Sequence, residues 1–242
     1  MENTVEFIIA FLAVTQARAV AAPLNAGYKK DEFTWYLEDA QSKLLILPPA
    51  GNANAEGAAA TLSIPVATVQ LADGALAVND RSPAGDDNSS ALRLTSPAAS
   101  AAAAAADAAP PSPQPSDVAL FLHTSGTTSK PKGVPLTHAN IAASLANIAA
   151  TYELTSHDVS YMVMPLFHVH GLMAGTFAPL AAGGAVVLPV AGRFSASVFW
   201  RDCVEHGATF YTAVPTMHQC HAPHAIGHSP IHEETPLLRH PC

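Results

Sequence analysis

Charge is scarce in this sequence. Only 12% of its 242 residues are Asp, Glu, Lys or Arg, about half of the roughly 25% common in globular chains. Eleven are basic and 19 acidic, for a net charge of −8. A chain so short of lysine and arginine lacks the broad electrostatic footprint of a nucleic-acid binder. No polybasic patch points to a membrane surface. Cysteine is nearly absent: Cys203, Cys220 and Cys242 are odd in number and widely spaced. That excludes a disulfide framework and fits a reducing compartment. Long apolar runs are missing too. The longest early one, Phe7 to Val14, is too short to span a bilayer and leads into Gln16 and Arg18. Glu2 and Glu6 stand where a secretory leader carries positive charge, and the ending Arg239-His240-Pro241-Cys242 is not a peroxisomal address. The expectation is a cytoplasmic protein with neither nucleic acid nor membrane as partner.

What is present is an alternation of helical and strand-like segments. Asn3 is placed to cap a helix, with Glu6 completing a capping box. Phe7 to Val14 is apolar nearly all round and predicts a buried helix. A strand-like piece, Ala19 to Pro23, follows, then a surface helix from Lys30 to Asp39 and a strand from Lys43 to Leu47. Residues 72–117 change character: Ala101 to Ala106 and Pro110-Pro111-Ser112-Pro113-Gln114-Pro115 read as a low-complexity, loosely held connection. Order returns with a buried strand at Val118 to Leu122. The pattern then predicts a helix capped by Thr137, a strand at Val159 to Met164, helical residues from Gly171 to Leu180, and a strand at Ala185 to Val190. A helix capped by Ser195 and stopped by Gly207 and a strand at Thr209 to Val214 complete it. Such alternation predicts an α/β fold, with a mostly parallel sheet flanked by helices. The expected divisions are 1–71, a partial first α/β unit; 72–117, the connection; 118–217, the core segment; and 218–242, a divergent tail. That tail holds six of the 12 histidines and no apolar periodicity.

The densest chemistry lies in Thr124-Ser125-Gly126-Thr127-Thr128-Ser129-Lys130-Pro131-Lys132-Gly133. Small residues let backbone approach a polyanion closely. Successive N–H groups form an anion nest, hydroxyls add donors, and lysine adds a point charge. With a strand before it and a helix expected after it, the loop reads as a cradle for a triphosphate or pyrophosphate. It is not a Walker A loop, because Pro131 stands at the second glycine position and Gly133 follows Lys132. No Gly-x-Ser-x-Gly elbow is present, so a serine hydrolase of that kind is set aside.

Leu122 to Gly133, continuing through Val134-Pro135-Leu136-Thr137-His138, resembles the AMP-binding signature of the adenylate-forming acyl-CoA synthetases. Ser129 stands where most of that family carries glycine, a variant similar to the oxalate–CoA ligase branch; a 4-coumarate-like branch is the alternative. Met164-Pro165-Leu166-Phe167-His168-Val169-His170-Gly171, Ala191-Gly192-Arg193-Phe194-Ser195 and Tyr211-Thr212-Ala213-Val214-Pro215-Thr216 carry the likeness further. The resemblance covers about residues 2–71 and 117–219.

The resemblance implies an incomplete adenylate-forming N-terminal domain and two-step chemistry. A carboxylic acid attacks ATP to give an acyl-adenylate, and CoA then displaces AMP. It assigns the ATP phosphates to Thr124, Ser125, Gly126, Thr127, Thr128 and Lys132. It assigns a catalytic position between the nucleotide and acyl pockets to His168, the acyl side to His170, and the CoA phosphates to Arg193. For His168 a hydrogen-bonded core histidine stays open as the plainer alternative, and for Arg193 a solvated surface charge. ATP, CoA and Mg2+ are the implied cofactors, and a small carboxylic acid the implied partner. The family's glutamate segment for magnesium, its aspartate segment for ribose and its C-terminal lysine have no counterpart here; no lysine follows Lys132. The expectation is a piece of such a ligase, truncated at both ends and inactive as it stands. A non-catalytic nucleotide-binding or interaction fragment remains the second class. Metal binding by Cys220, His224, His228 and His232 is opposed by Pro223 and Pro230, and no metal site is assigned.

Overall fold

The computed structural model describes residues 2–72, 75–80, 112–124 and 131–219. They fall into two units: Val5–His138, and a second that joins Glu2–Thr4 to the chain from Ala139 onward. The expected core segment 118–217 therefore divides at His138.

In the first unit α1 (Val5–Gln16) buries Phe7, Ala10, Phe11 and Thr15, while Leu12 is 49% exposed. The helix is thus one-sided rather than buried all round. It packs against β2 (Val66–Ala72) and β3 (Ala75–Asp80). The expected cap is also displaced. The helix begins at Val5, so Thr4 precedes it, and the Asn3 carboxamide bonds to residues far along the chain. Glu6 accepts from the Leu71 N–H at 3.2 Å.

Helix α2 (Lys30–Asp39) matches its expected span. Glu32 accepts from the Lys29 N–H at 2.8 Å, one half of a capping box. Its buried Phe33 and Leu37 meet β1 (Leu45–Leu47), β2 and the alanine face of α3 (Ala53–Thr61) in one apolar cluster. Alanine at 55, 58 and 59 lets the two helices approach closely. Asn52 caps α3, accepting from the N–H groups of Asn54 and Ala55 at 3.1 Å. β1 and β2 are parallel, and β3 returns antiparallel to β2. That strand lies inside the stretch expected to be loosely held; its Leu-Ala-Val alternation finds β2 as a partner. Residues 81–111 lie outside the described residues.

β4 (Val118–His123) pairs antiparallel with β5 (Gly133–Thr137). The expected strand at Ala19 to Pro23 reduces to one parallel bridge, Ala21 to Leu120. Arg18 holds Asp117 through two bonds of 2.7 and 2.9 Å at the start of β4, and this pairing keeps the Asp117 carboxyl below its usual range. Helix α4 (His138–Thr151) begins where β5 ends.

In the second unit β6 (Val159–Tyr161) and β7 (Ala185–Val187) are parallel. Between them runs a π-helical stretch, Gly171–Phe177, continued by α5 (Ala178–Ala181). Helix α6 (Ala196–Glu205) starts after Ser195, whose hydroxyl bonds to Ser197 at 3.0 Å rather than to the helix backbone. The expected strand at Thr209 to Val214 appears as a single bridge, Ser160 to Phe210. Tyr161, Val163, Phe199, Cys203, Ala208 and Tyr211 form the core. Burial pushes the Cys203 thiol up to about 12, so it is a packing group. Buried Asp158 accepts from the Thr155 N–H and hydroxyl and from the Thr209 hydroxyl at 2.8, 3.0 and 2.9 Å. Among the described residues no helix is long and apolar enough to cross a membrane.

Candidate functional site: a lysine-bearing hairpin and a histidine turn

The loop expected to lead into a helix instead joins two strands. At its mouth the Thr124 N–H donates to the Lys132 carbonyl at 2.9 Å, and the Lys132 N–H donates to the Thr124 hydroxyl oxygen at 3.1 Å. These bonds pin the two ends of the expected phosphate loop together. Ser125, Gly126, Thr127 and Thr128 lie outside the described residues. Lys132 is exposed, and no described residue pairs with its ammonium group. The Thr124 hydroxyl uses an oxygen lone pair here, so its proton is still available to an anion.

Behind the hairpin lies a cluster that sequence reading missed. His123 Nε2 lies 2.9 Å from the carboxylate of Asp39. Its ring is 4.8 Å from Tyr36, 5.4 Å from Trp35 and 5.1 Å from Phe121. The Phe121 ring covers Gly133: a Cβ there would stand 2.2 Å from its Cζ. A side chain at 133 would therefore displace the Phe121 ring at the loop's exit. No spacing in the sequence links residues 84 positions apart, such as His123 and Asp39.

In the second unit His168 and His170 share one tight turn. The His168 N–H donates to the Pro165 carbonyl at 3.1 Å. The His170 N–H donates to His168 Nδ1 at 3.2 Å. A nitrogen that accepts carries no proton, so the neutral His168 ring holds its proton on Nε2. His168 is exposed, which removes the core-histidine alternative. The His170 Nε2 lies 2.5 Å from the hydroxyl of buried Thr212. Burial pushes the His170 imidazole below its ordinary range, and nearby His168 adds to the effect. Thr212 belongs to the quoted Tyr211-to-Thr216 segment but has no place among the expected site residues. Gly171 closes the turn. A Cβ there would stand 2.3 Å from the Pro165 carbonyl oxygen, so only glycine permits the approach.

Arg193 is exposed on a turn anchored by a 2.8 Å bond from the Gly192 N–H to the Pro189 carbonyl. It has no ion-pair partner among the described residues. No group of three or more His, Cys, Asp or Glu residues able to hold a metal occurs among the described residues. The tail residues Cys220, His224, His228 and His232 lie outside them.

The described residues thus form mixed α/β units, one of them carrying a lysine-bearing hairpin loop. Comparison with known proteins gives the family. The model for the AMP-binding enzyme family matches residues 1–232, and the chain belongs to that family. It is 52% identical over 221 residues to the oxalate–CoA ligase of Arabidopsis thaliana, covering 90% of this chain and 39% of the relative. It is 51% identical over 219 residues to a probable CoA ligase, CCL9, of Humulus lupulus, covering 90% and 38%. Among solved structures, ATP-bound MatB from Rhodopseudomonas palustris superposes with a TM-score of 0.68 at 26% identity, covering 91% of this chain and 39% of that one. The chain thus spans well under half the length of these relatives. The family match runs on to residue 232.

Proposed function

We propose that this chain is the phosphate-gripping and acyl-pocket region of an ATP-dependent acid–CoA ligase acting on a small carboxylic acid of the oxalate class. The observation that carries the reading is 52% identity across 90% of the chain to a protein named for oxalate–CoA ligation. In the proposed reaction a carboxylate oxygen attacks the α-phosphorus of ATP and pyrophosphate leaves. The CoA thiolate sulfur then attacks the acyl carbon, and AMP leaves. Thr124, Ser125, Gly126, Thr127, Thr128 and Lys132 bind the ATP phosphates. The Lys132 ammonium and the Thr124 hydroxyl proton supply charge and a donor where negative charge gathers. His168 offers an exposed Nε2–H donor at the junction of the nucleotide and acyl pockets. His170 lines the acyl side as a neutral ring held by Thr212. Arg193 meets the CoA phosphates.

Magnesium accompanies ATP in such chemistry and screens the triphosphate. The described residues hold no group of three or more His, Cys, Asp or Glu able to hold a metal, and no step is derived through the ion. A non-catalytic nucleotide-binding or interaction fragment is the second reading. The reaction's setting is the cytoplasm.

Titration with ATP by calorimetry tests the reading. Lys132→Ala should weaken binding about tenfold or more, since one charge-assisted contact is worth roughly 1.5–3 kcal/mol. Equal binding by both proteins would overturn the loop assignment. Calorimetric titration with oxalate and with 4-coumarate in the presence of ATP separates the acid classes. These 242 residues alone are expected to bind without turnover; acyl-CoA formation by them would refute the fragment reading.

A further inference from the structure

We infer that Asn3 is a positioning residue that holds the His168 turn and the Arg193 turn in one register. This rests on the roles proposed for those two residues. Three bonds carry it. Asn3 Nδ2 donates to the Met164 carbonyl at 3.0 Å. Its Oδ1 accepts from the Leu166 N–H at 2.9 Å. Its own backbone N–H donates to the Gly192 carbonyl at 3.0 Å. The amide orientation is fixed by its partners, because a carbonyl only accepts and an N–H only donates.

The place where these bonds fall gives them their role. β6 ends at Tyr161, and the Met162 N–H makes a further backbone bond to Val187. Beyond it the chain turns away at Pro165, which has no N–H to give. Met164 and Leu166 are buried, so their carbonyl and N–H need partners inside the protein. The Asn3 carboxamide has the donor and acceptor of a peptide group, and it satisfies one on each side of the proline. The next N–H–carbonyl contact along the chain, His168 to Pro165, forms the turn in which the His170 N–H holds the His168 ring through Nδ1 at 3.2 Å. On the other side, Gly192 directly precedes Arg193. One buried side chain therefore clasps the start of the histidine turn, 161 and 163 positions away in sequence. The same residue's backbone ties down the arginine turn.

The geometry is demanding. Alanine keeps only the backbone bond to Gly192. Aspartate keeps the size and the acceptor for Leu166 but turns lone pairs on the Met164 carbonyl. The test compares the full 242-residue chain with Asn3→Ala and Asn3→Asp. Backbone hydrogen exchange is followed at residues 162–172 and 190–195, and the His168 ring by imidazole 15N resonances. Exchange in both segments should rise together by about tenfold, with residues 53–72 of the other unit unchanged. The His168 tautomer signal should lose its Nε2–H preference. Asn3→Asp decides the matter if Asn3→Ala does not fold. Faster exchange in only one segment, or in neither, with the His168 signal intact, would overturn the inference. Calorimetry with CoA runs in parallel. If the unmodified chain binds no CoA, the functional reading fails while exchange and resonance still judge Asn3. If it binds, Asn3→Asp should weaken binding severalfold.

Discussion

Gly133→Ala tests the hairpin at its tightest point. The added Cβ would stand 2.2 Å from Phe121 Cζ and 2.9 and 3.0 Å from the neighbouring ring carbons. Comfortable carbon contacts lie at about 3.5–4.0 Å, so the ring must retreat by about 1.5 Å. Phe121 is only half-buried and can swing outward. Swinging out breaks its edge contact with His123, now 5.1 Å between centroids. An aromatic pair contributes about 0.5–1.5 kcal/mol beyond burial, and overpacking costs about 1–3 kcal/mol. Because the ring has an exit, the expected loss is about 1–2 kcal/mol. For a chain of this size that lowers the melting point by roughly 2–8 °C. Thermal unfolding by circular dichroism measures it. Phe121→Leu removes the obstructing ring, so in that background Gly133→Ala should cost much less, a coupling the double-mutant cycle isolates. Full cost for Gly133→Ala with Leu at 121 would refute the clash as its cause. So would a Gly133→Ala melt that coincides with the unmodified protein.

Two further predictions concern the second unit. The folded-state pKa of His170 lies below its ordinary value, so the unfolded chain binds more protons between the two values. Its contribution to stability is therefore complete above the ordinary histidine range and is lost as pH falls through it toward the folded pKa. His170→Gln should flatten the fall in melting temperature between about pH 7 and pH 5, and an unchanged slope would refute this. Asp158→Ala strips the acceptor from the Thr155 N–H and from two hydroxyls. The expected loss is about 1.5–3 kcal/mol in urea unfolding, against which a loss under 0.5 kcal/mol would count.

What could be read from the sequence was local. Helix α2 announced itself because Phe33, Tyr36 and Leu37 fall on one side of a helical span. Helix α6 was legible from Ser195 and Gly207, although the Ser195 hydroxyl does not cap it. Strand β5 was not legible, because Gly133 and Pro135 are loop residues by composition. It persists as a strand because, among the described residues, it is paired only with β4, and an edge strand tolerates proline. Helix α3 offers little beyond alanine, and its helicity rests on the Asn52 cap and on packing against α2. Asn3 shows the limit most sharply. Its spacing to Glu6 has the form of a capping box, yet its carboxamide bonds across 161 residues. A local reading weighs only neighbours in the chain, and here a distant proline turn was the stronger claimant. His170 and Thr212 met for the same reason, through folding and not through spacing.

The strand after the loop also bears on the phosphate-binding role proposed for it. At a helix N-terminus, free N–H groups and the helix dipole supply much of the attraction. Here the next helix along the chain starts at His138, beyond the five residues of β5, about 16 Å along an extended strand. The dipole's influence fades within a turn of a helix start. The two amides at the loop mouth are already committed, Thr124 to the Lys132 carbonyl and Lys132 to the Thr124 hydroxyl. Among the described loop residues the donors left are the Thr124 hydroxyl and the ammonium of Lys132. In a chain with only 11 basic residues, that one exposed lysine then carries the charge complementarity of the loop's described portion. This is why Lys132→Ala discriminates the proposal more sharply than the loss of any single hydroxyl.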